Sequence, residues 1–162
     1  MIKLRKITLL FFTIFLSAAS QCGQYTLSWY PKEYSSNNII VMPNNDKFAV
    51  YLPDGVWEDN FGNFGNMSCV VSAFTNAKKD ISLNGYCEAV DDQNAKFWIN
   101  MVRNSTFEEA GVGYIEFIEG NGKYEKIVGI SCPYAIQWID NDARVNRGGG
   151  SILKLKCTEE KN

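Results

Sequence analysis

The stretch Gly111-Val112-Gly113-Tyr114-Ile115-Glu116-Phe117-Ile118-Glu119-Gly120-Asn121-Gly122-Lys123-Tyr124-Glu125-Lys126-Ile127-Val128-Gly129 decides how the chain is read. Tyr114 to Ile118 is a run of β-formers that stops at Gly120-Asn121-Gly122, and a tight segment ending at Gly129 leads into the next β-run. Glycines at this density mark positions of positive φ, or approaches too close for a Cβ. The stretch is therefore a corner between two strands, with Lys123 to Val128 long enough for one helical turn.

Outward from that corner the pattern is β in both directions. Candidate strands are Tyr25–Tyr30, Asn38–Met42, Lys47–Leu52, Met67–Phe74, Ile81–Val90, Lys96–Arg103, Val112–Glu119, Ser131–Asp140 and Ser151–Cys157. They are short, rich in aromatic and β-branched residues, and separated by Asn, Gly, Asp and Pro clusters. No window keeps apolar groups at helical spacing, although Thr106 to Ala110 could form a single turn. Strands this regularly spaced read as an all-β sandwich or barrel in a single domain.

Alternation assigns faces. Met67, Cys69, Val71 and Ala73 share an apolar face, as do Ile81, Leu83, Gly85, Cys87 and Ala89. Cys132, Tyr134, Ile136 and Trp138 form another, and Leu153, Leu155 and Cys157 a fourth, opposite Lys154 and Lys156. In a hairpin centred on Lys78, residues whose numbers add to 156 oppose each other, which pairs Cys69 with Cys87. Pairing Ser131–Asp140 with Ser151–Cys157 sets Cys132 against Cys157. Opposed strand residues lie about 4.5–5.5 Å apart at Cα, inside the range a disulfide tolerates. The expected bonds are Cys69–Cys87 and Cys132–Cys157, with Cys22 left over.

The first residues read as an export signal. Lys3, Arg5 and Lys6 precede an apolar run from Ile7 to Leu16, followed by Ser17, Ala18, Ala19 and Ser20. The run falls short of the roughly 20 apolar residues of a membrane span, so residues 1–20 are read as cleaved and 21–162 as the domain. No second span follows, so no integral membrane segment is expected after cleavage. Cleavage removes three of 16 basic residues and none of 18 acidic ones, leaving a net charge of −5. That balance argues against nucleic acid and anionic membrane as partners. Paired cysteines in an exported chain imply a periplasmic or secreted location. A lipid anchor on Cys22 is the lesser alternative, because Gln21 and Ala19 occupy positions where that processing prefers a small residue and a leucine.

The chain contains no histidine, which removes the commonest general base and the commonest zinc ligand. No catalytic residue, metal site or cofactor is assigned. Asp140-Asn141-Asp142 lacks the glycine and glutamate of a calcium loop, Gly148-Gly149-Gly150 has no helix to hold a phosphate, and Glu108-Glu109 reads as an exposed turn. Asp91-Asp92 reads as a solvated hairpin turn.

The longest apparent connection is Pro53 to Asn66, which carries Trp57, Phe61 and Phe64 beside Glu58 and Asp59. Long loops in compact domains tend to be functional, so this one is either a lid at a barrel mouth or a plug whose rings cover the core. With Tyr134 and Trp138 on an inward face, these rings are the expected ligand-binding positions.

Gly120-Asn121-Gly122-Lys123-Tyr124, with Ile127 and Gly129, resembles the Gly-Gly-Thr-Gly-Lys-Tyr-x-x-Ile-x-Gly segment of allene-oxide-cyclase and dirigent-like β-barrels. Gly85-Tyr86-Cys87-Glu88-Ala89-Val90-Asp91 resembles the Gly-x-Cys-x-x-x-Asp stretch of small exported bacterial members. Asn121 stands where Thr is usual and Glu119 where Gly is. The resemblance implies an antiparallel barrel of about eight strands, packed solid or holding one small apolar ligand. Three roles follow: non-enzymatic binding of a small apolar ligand, an isomerase or cyclase using inward Tyr134, Tyr114 and Gln137, or an envelope interaction protein without a ligand.

Overall fold

Turns of one design set the register of the first half of the chain. A computed structural model of the protein describes residues 24–33, 38–106, 111–138 and 151–158. At Met42–Asp46, Asp59–Asn63, Asn76–Asp80 and Asp91–Ala95 the two flanking residues pair across a three-residue loop. The last loop residue takes a positive φ at Asn45 (67°), Gly62 (82°), Lys79 (69°) and Asn94 (62°), as hairpins with a glycine-type bulge require. Asp59, Asn76 and Asp91 also accept, through Oδ1, the backbone N–H groups two and four residues ahead, all at 2.8–2.9 Å. This side-chain mimicry of a turn is what Asp and Asn supply best.

The strands are β1 (Tyr25–Glu33), β2 (Asn38–Val41), β3 (Lys47–Tyr51), β4 (Asp54–Asp59), β5 (Phe64–Thr75), β6 (Asp80–Asp91), β7 (Lys96–Thr106), β8 (Val112–Gly120), β9 (Ser131–Trp138) and β10 (Ser151–Cys157). A 3₁₀ helix, Gly122–Ile127, joins β8 to β9. Pairing runs β1–β4–β5–β6–β7–β8–β9–β10 and back to β1, which closes an antiparallel eight-stranded barrel. Strands β3 and β4 lie end to end along one edge of β5, in one continuous register interrupted at Leu52-Pro53. On their far side β2 pairs with β3 and β1 with β4, so the β2–β3 hairpin extends past the barrel wall.

Residues 53–66 are thus not a long loop. Asp54–Asp59 and Phe64–Thr75 form a hairpin whose loop is only Asn60-Phe61-Gly62. Pro53 and the repeated glycines gave the segment a loop-like composition. Yet Gly55 and Gly65 are strand residues where a Cβ would run into the carbonyls of Tyr30 and Val90. The expected corner holds: Gly129 has φ 84° and its N–H donates to the Phe117 carbonyl at 2.7 Å, turning the chain into β9.

Both disulfides form as expected. Cys69–Cys87 staples directly opposed residues of β5 and β6, with Cα atoms 4.0 Å apart. Cys132–Cys157 staples β9 to β10 at 4.7 Å. Such bonds persist in a non-reducing compartment. Inward residues fill the barrel with large apolar groups, among them Leu27, Trp57, Met67, Phe97, Ile99, Ile115, Phe117 and Leu153. At one end the Trp57, Phe97, Phe117 and Tyr124 rings interlock, with centroids 5.0–6.2 Å apart, at the separation aromatic pairs favour. Among the described residues no helix is long and apolar enough to cross a membrane. The expectations for residues 1–20, Cys22, Glu108-Glu109, Asp140-Asn141-Asp142 and Gly148–Gly150 fall outside the described residues.

Candidate functional site

The plugged end of the barrel is built around one carboxylate. Asp91 ends β6, and its Oδ1 organises the β6–β7 turn while its Oδ2 faces the 3₁₀ helix. The Lys123 ammonium lies 2.7 Å from Oδ2, and the Tyr124 hydroxyl donates to the same atom at 3.0 Å. Lys123 also donates to Asn63 Oδ1 at 2.7 Å, which ties in the β4–β5 turn. Burial alone would raise the Asp91 carboxyl. Lys123, the Ala95 and Gln93 N–H groups and Tyr124 outweigh it, holding the group below its ordinary 3.8. Burial, followed by the bond to Asp91, pushes the Tyr124 phenol far above 10.0. Asp91 is therefore not solvated as the dipeptide pattern implied; only Asp92 is exposed.

This arrangement explains both motifs. Gly85–Asp91 supplies the carboxylate and Gly120–Gly129 supplies the lysine and tyrosine that close on it. Asp91 thereby ties together the β6–β7 turn, the 3₁₀ helix and, through Lys123, the β4–β5 turn.

The rings expected at a barrel mouth do not come together. Trp57 points inward from β4, fully buried, and donates through Nε1 to the Asn66 carbonyl at 3.2 Å. Phe61 sits in the β4–β5 turn and stacks on Tyr25 at 5.9 Å, with Lys126 Nζ 5.8 Å from its ring centre. Phe64 is exposed on the outer face of β5. Tyr134 is buried inside, and Gly113 leaves room for its ring against β8. Trp138 ends β9, and its side chain lies outside the described residues. Tyr114 and Gln137 point outward, exposed, so Tyr134 alone of the three inward candidates lies inside. Among described buried groups, the Trp29 indole N–H has no hydrogen-bond partner.

A concave apolar surface lies instead on the outside of the wall. Its volume is about 640 Å³, and its lining includes Leu52, Pro53, Val70, Tyr86, Trp98 and Ile118. Two backbone irregularities frame it. On one side Leu52-Pro53 breaks the β3–β4 line, where the Cys69 N–H donates to the Pro53 carbonyl at 2.9 Å. On the other, the register of β7 and β8 shifts, pairing Trp98 with Glu119 and Ile99 with Phe117. Ile118 is the extra residue, and both it and Glu119 are exposed. Bulges commonly re-aim side chains beside binding sites.

Between these walls Val70 and Tyr86 face each other across β5 and β6. The Trp98 indole donates to Glu88 Oε2 at 3.1 Å, and Lys96 pairs with Glu88 Oε1 at 3.1 Å. Lys96 Nζ also stands 5.9 Å from the Trp98 ring centre. These contacts fix the indole as one wall of the cleft. A second cleft, of about 410 Å³, opens at the far tips of β5, β6 and β7 among Asn76, Asp80, Ser82 and Asn104. Its lining mixes these polar residues with Phe74 and Ile81.

The sequence carried a signal for the apolar cleft that face assignment passed over. Val70 and Tyr86 stand as large apolar residues between the polar outward neighbours Ser68 and Ser72 on one strand and Asn84 and Glu88 on the next. Comparison of the chain with protein-family models, with curated proteins and with solved structures found no match.

Proposed function

We propose that the protein is an exported, non-enzymatic barrel that binds a small apolar ligand in the outer cleft between Leu52-Pro53 and Ile118. The observation that carries this reading is the cleft itself. At about 640 Å³ it falls in the size range of small-molecule sites, roughly 300–1,000 Å³, and its floor is aliphatic and aromatic. The tightly packed rings at the plugged end leave the outer wall as the better place for a ligand. Export rests on the basic and apolar first 20 residues together with disulfides that need an oxidising compartment. Periplasm or extracellular space is the location.

Titration with a neutral apolar dye tests the reading, with energy transfer from Trp98 reporting occupancy. Saturable binding by the native protein and its loss in Val70→Glu support it. Absence of saturation, or binding unchanged by Val70→Glu, refutes it.

A further inference from the structure

The β2 strand presents an anomaly separate from the cleft. Ile39, Ile40 and Val41 are 54%, 61% and 59% exposed, although both faces of a strand are seldom left apolar and open. One edge of β2 pairs with β3; the other edge has no partner strand among the described residues. Exposed edges are usually blunted by charge, bulges or proline within the strand. Residues 38–45, Asn-Ile-Ile-Val-Met-Pro-Asn-Asn, carry no charge, and the proline follows the strand.

The hydrogen-bond phase of this edge can be read directly. The Met42 N–H donates to the Asp46 carbonyl at 2.8 Å, so 42 and 46 form a hydrogen-bonded pair. Bonded and non-bonded pairs alternate in an antiparallel ladder. The register Val41↔Lys47, Ile40↔Phe48, Ile39↔Ala49 then turns the backbone groups of Ile40 toward β3. Those of Ile39 and Val41 point to the free edge.

We infer that β2 pairs antiparallel with β2 of a second copy of this chain, about a two-fold axis through Ile40. In that register Ile39 of each copy meets Val41 of the other, and both hydrogen bonds of each such pair form. Ile40 meets its own symmetry mate in the intervening non-bonded pair. The side chains agree with the backbone. Ile40, Phe48 and Phe74 form a cross-strand row of exposed apolar residues on the outer face, and that row ends at the free edge. The two-fold joins it to its copy as one continuous apolar row, with β-branched and aromatic neighbours of the kind that stabilise sheets. No charged residue from 38 to 45 is brought against its copy by this pairing. A second copy fits this edge because the edge is complementary to itself in both hydrogen bonding and side chains.

Sedimentation of the mature chain in a Cys22→Ser background tests the pairing. The expected result is a dimer mass that becomes a monomer mass in Ile40→Lys, a substitution of an exposed residue that leaves the β3 bonds in place. A cysteine pair provides a second readout. Opposed non-bonded residues lie about 4.5 Å apart at Cα, inside the roughly 4.4–6.8 Å window of a disulfide. Ile40→Cys should therefore link two copies on air oxidation, while Val56→Cys on the outer face of β4 should not. A monomeric parent chain, a dimer that survives Ile40→Lys, or equal linking by Ile40→Cys and Val56→Cys overturns the proposal.

Discussion

Replacing Asp91 tests the reading that the two sequence motifs serve a structural latch. Asp91→Asn keeps an oxygen for the Gln93 and Ala95 N–H groups, as Asn76 does for the equivalent turn between β5 and β6. It removes the charge facing Lys123 and Tyr124. The Lys123 side chain is 32% exposed, so its ion pair is discounted for solvent to about 1 kcal/mol. Loss of the buried Tyr124 bond adds about 1 kcal/mol, for a total near 2 kcal/mol. Asp91→Ala also removes the single oxygen that accepts both the Gln93 and Ala95 N–H groups, and its expected cost is about 4 kcal/mol. Urea unfolding measures both. The pH dependence supplies an independent check. The folded carboxyl lies below its ordinary value of 3.8, so its contribution is complete above that value and is lost as pH falls through the folded one. The gap between the native protein and Asp91→Asn should therefore close in acid. A gap under about 0.5 kcal/mol at neutral pH, or one that does not narrow in acid, would refute the latch.

Each disulfide contributes through the loop it closes, spanning 18 and 25 residues. Replacing either pair with alanine should cost about 3 kcal/mol by chain entropy, read by urea unfolding against the oxidised parent. In alkali, burial and Asp59 hold the Tyr25 phenol, and burial and Asp91 the Tyr124 phenol, well above 10.0. Their contribution is complete below the ordinary phenol value and is lost as pH rises past it. Phenolate absorbance should show these two tyrosines silent until the barrel unfolds; their titration in the folded state would contradict the assignment. Gly129→Ala meets no neighbouring atom but must hold φ 84°, and its expected cost is about 1 kcal/mol. Gly65→Ala places a methyl against the Val90 backbone and should cost more than Gly129→Ala in the same unfolding assay.

Alternation on β5, β6, β9 and β10 carried enough information to pair the cysteines, because a one-residue slip would have sent each sulfur to the opposite face. The Gly129 corner was legible for a similar reason: few residues adopt its φ. The β4 strand was not. Gly55 and Gly65 resemble loop residues in composition, and only the neighbouring backbone shows that they are needed for close strand packing. The three-residue turns had a readable signal in Asp59, Asn76 and Asp91, each four residues before its pairing partner. The burial of Asp91 had none, since it depends on Lys123 and Tyr124 arriving from 32 and 33 residues further along the chain. The outer cleft likewise depends on a strand break and a bulge that meet only in the closed barrel.

Native mass spectrometry of the mature protein, isolated under mild conditions from its own source, tests ligand binding most directly. The account predicts a retained adduct with the mass of a small apolar molecule, present on the parent chain and lost in Val70→Glu. A bare mass carrying only two disulfides, or an adduct that Val70→Glu retains, would contradict it.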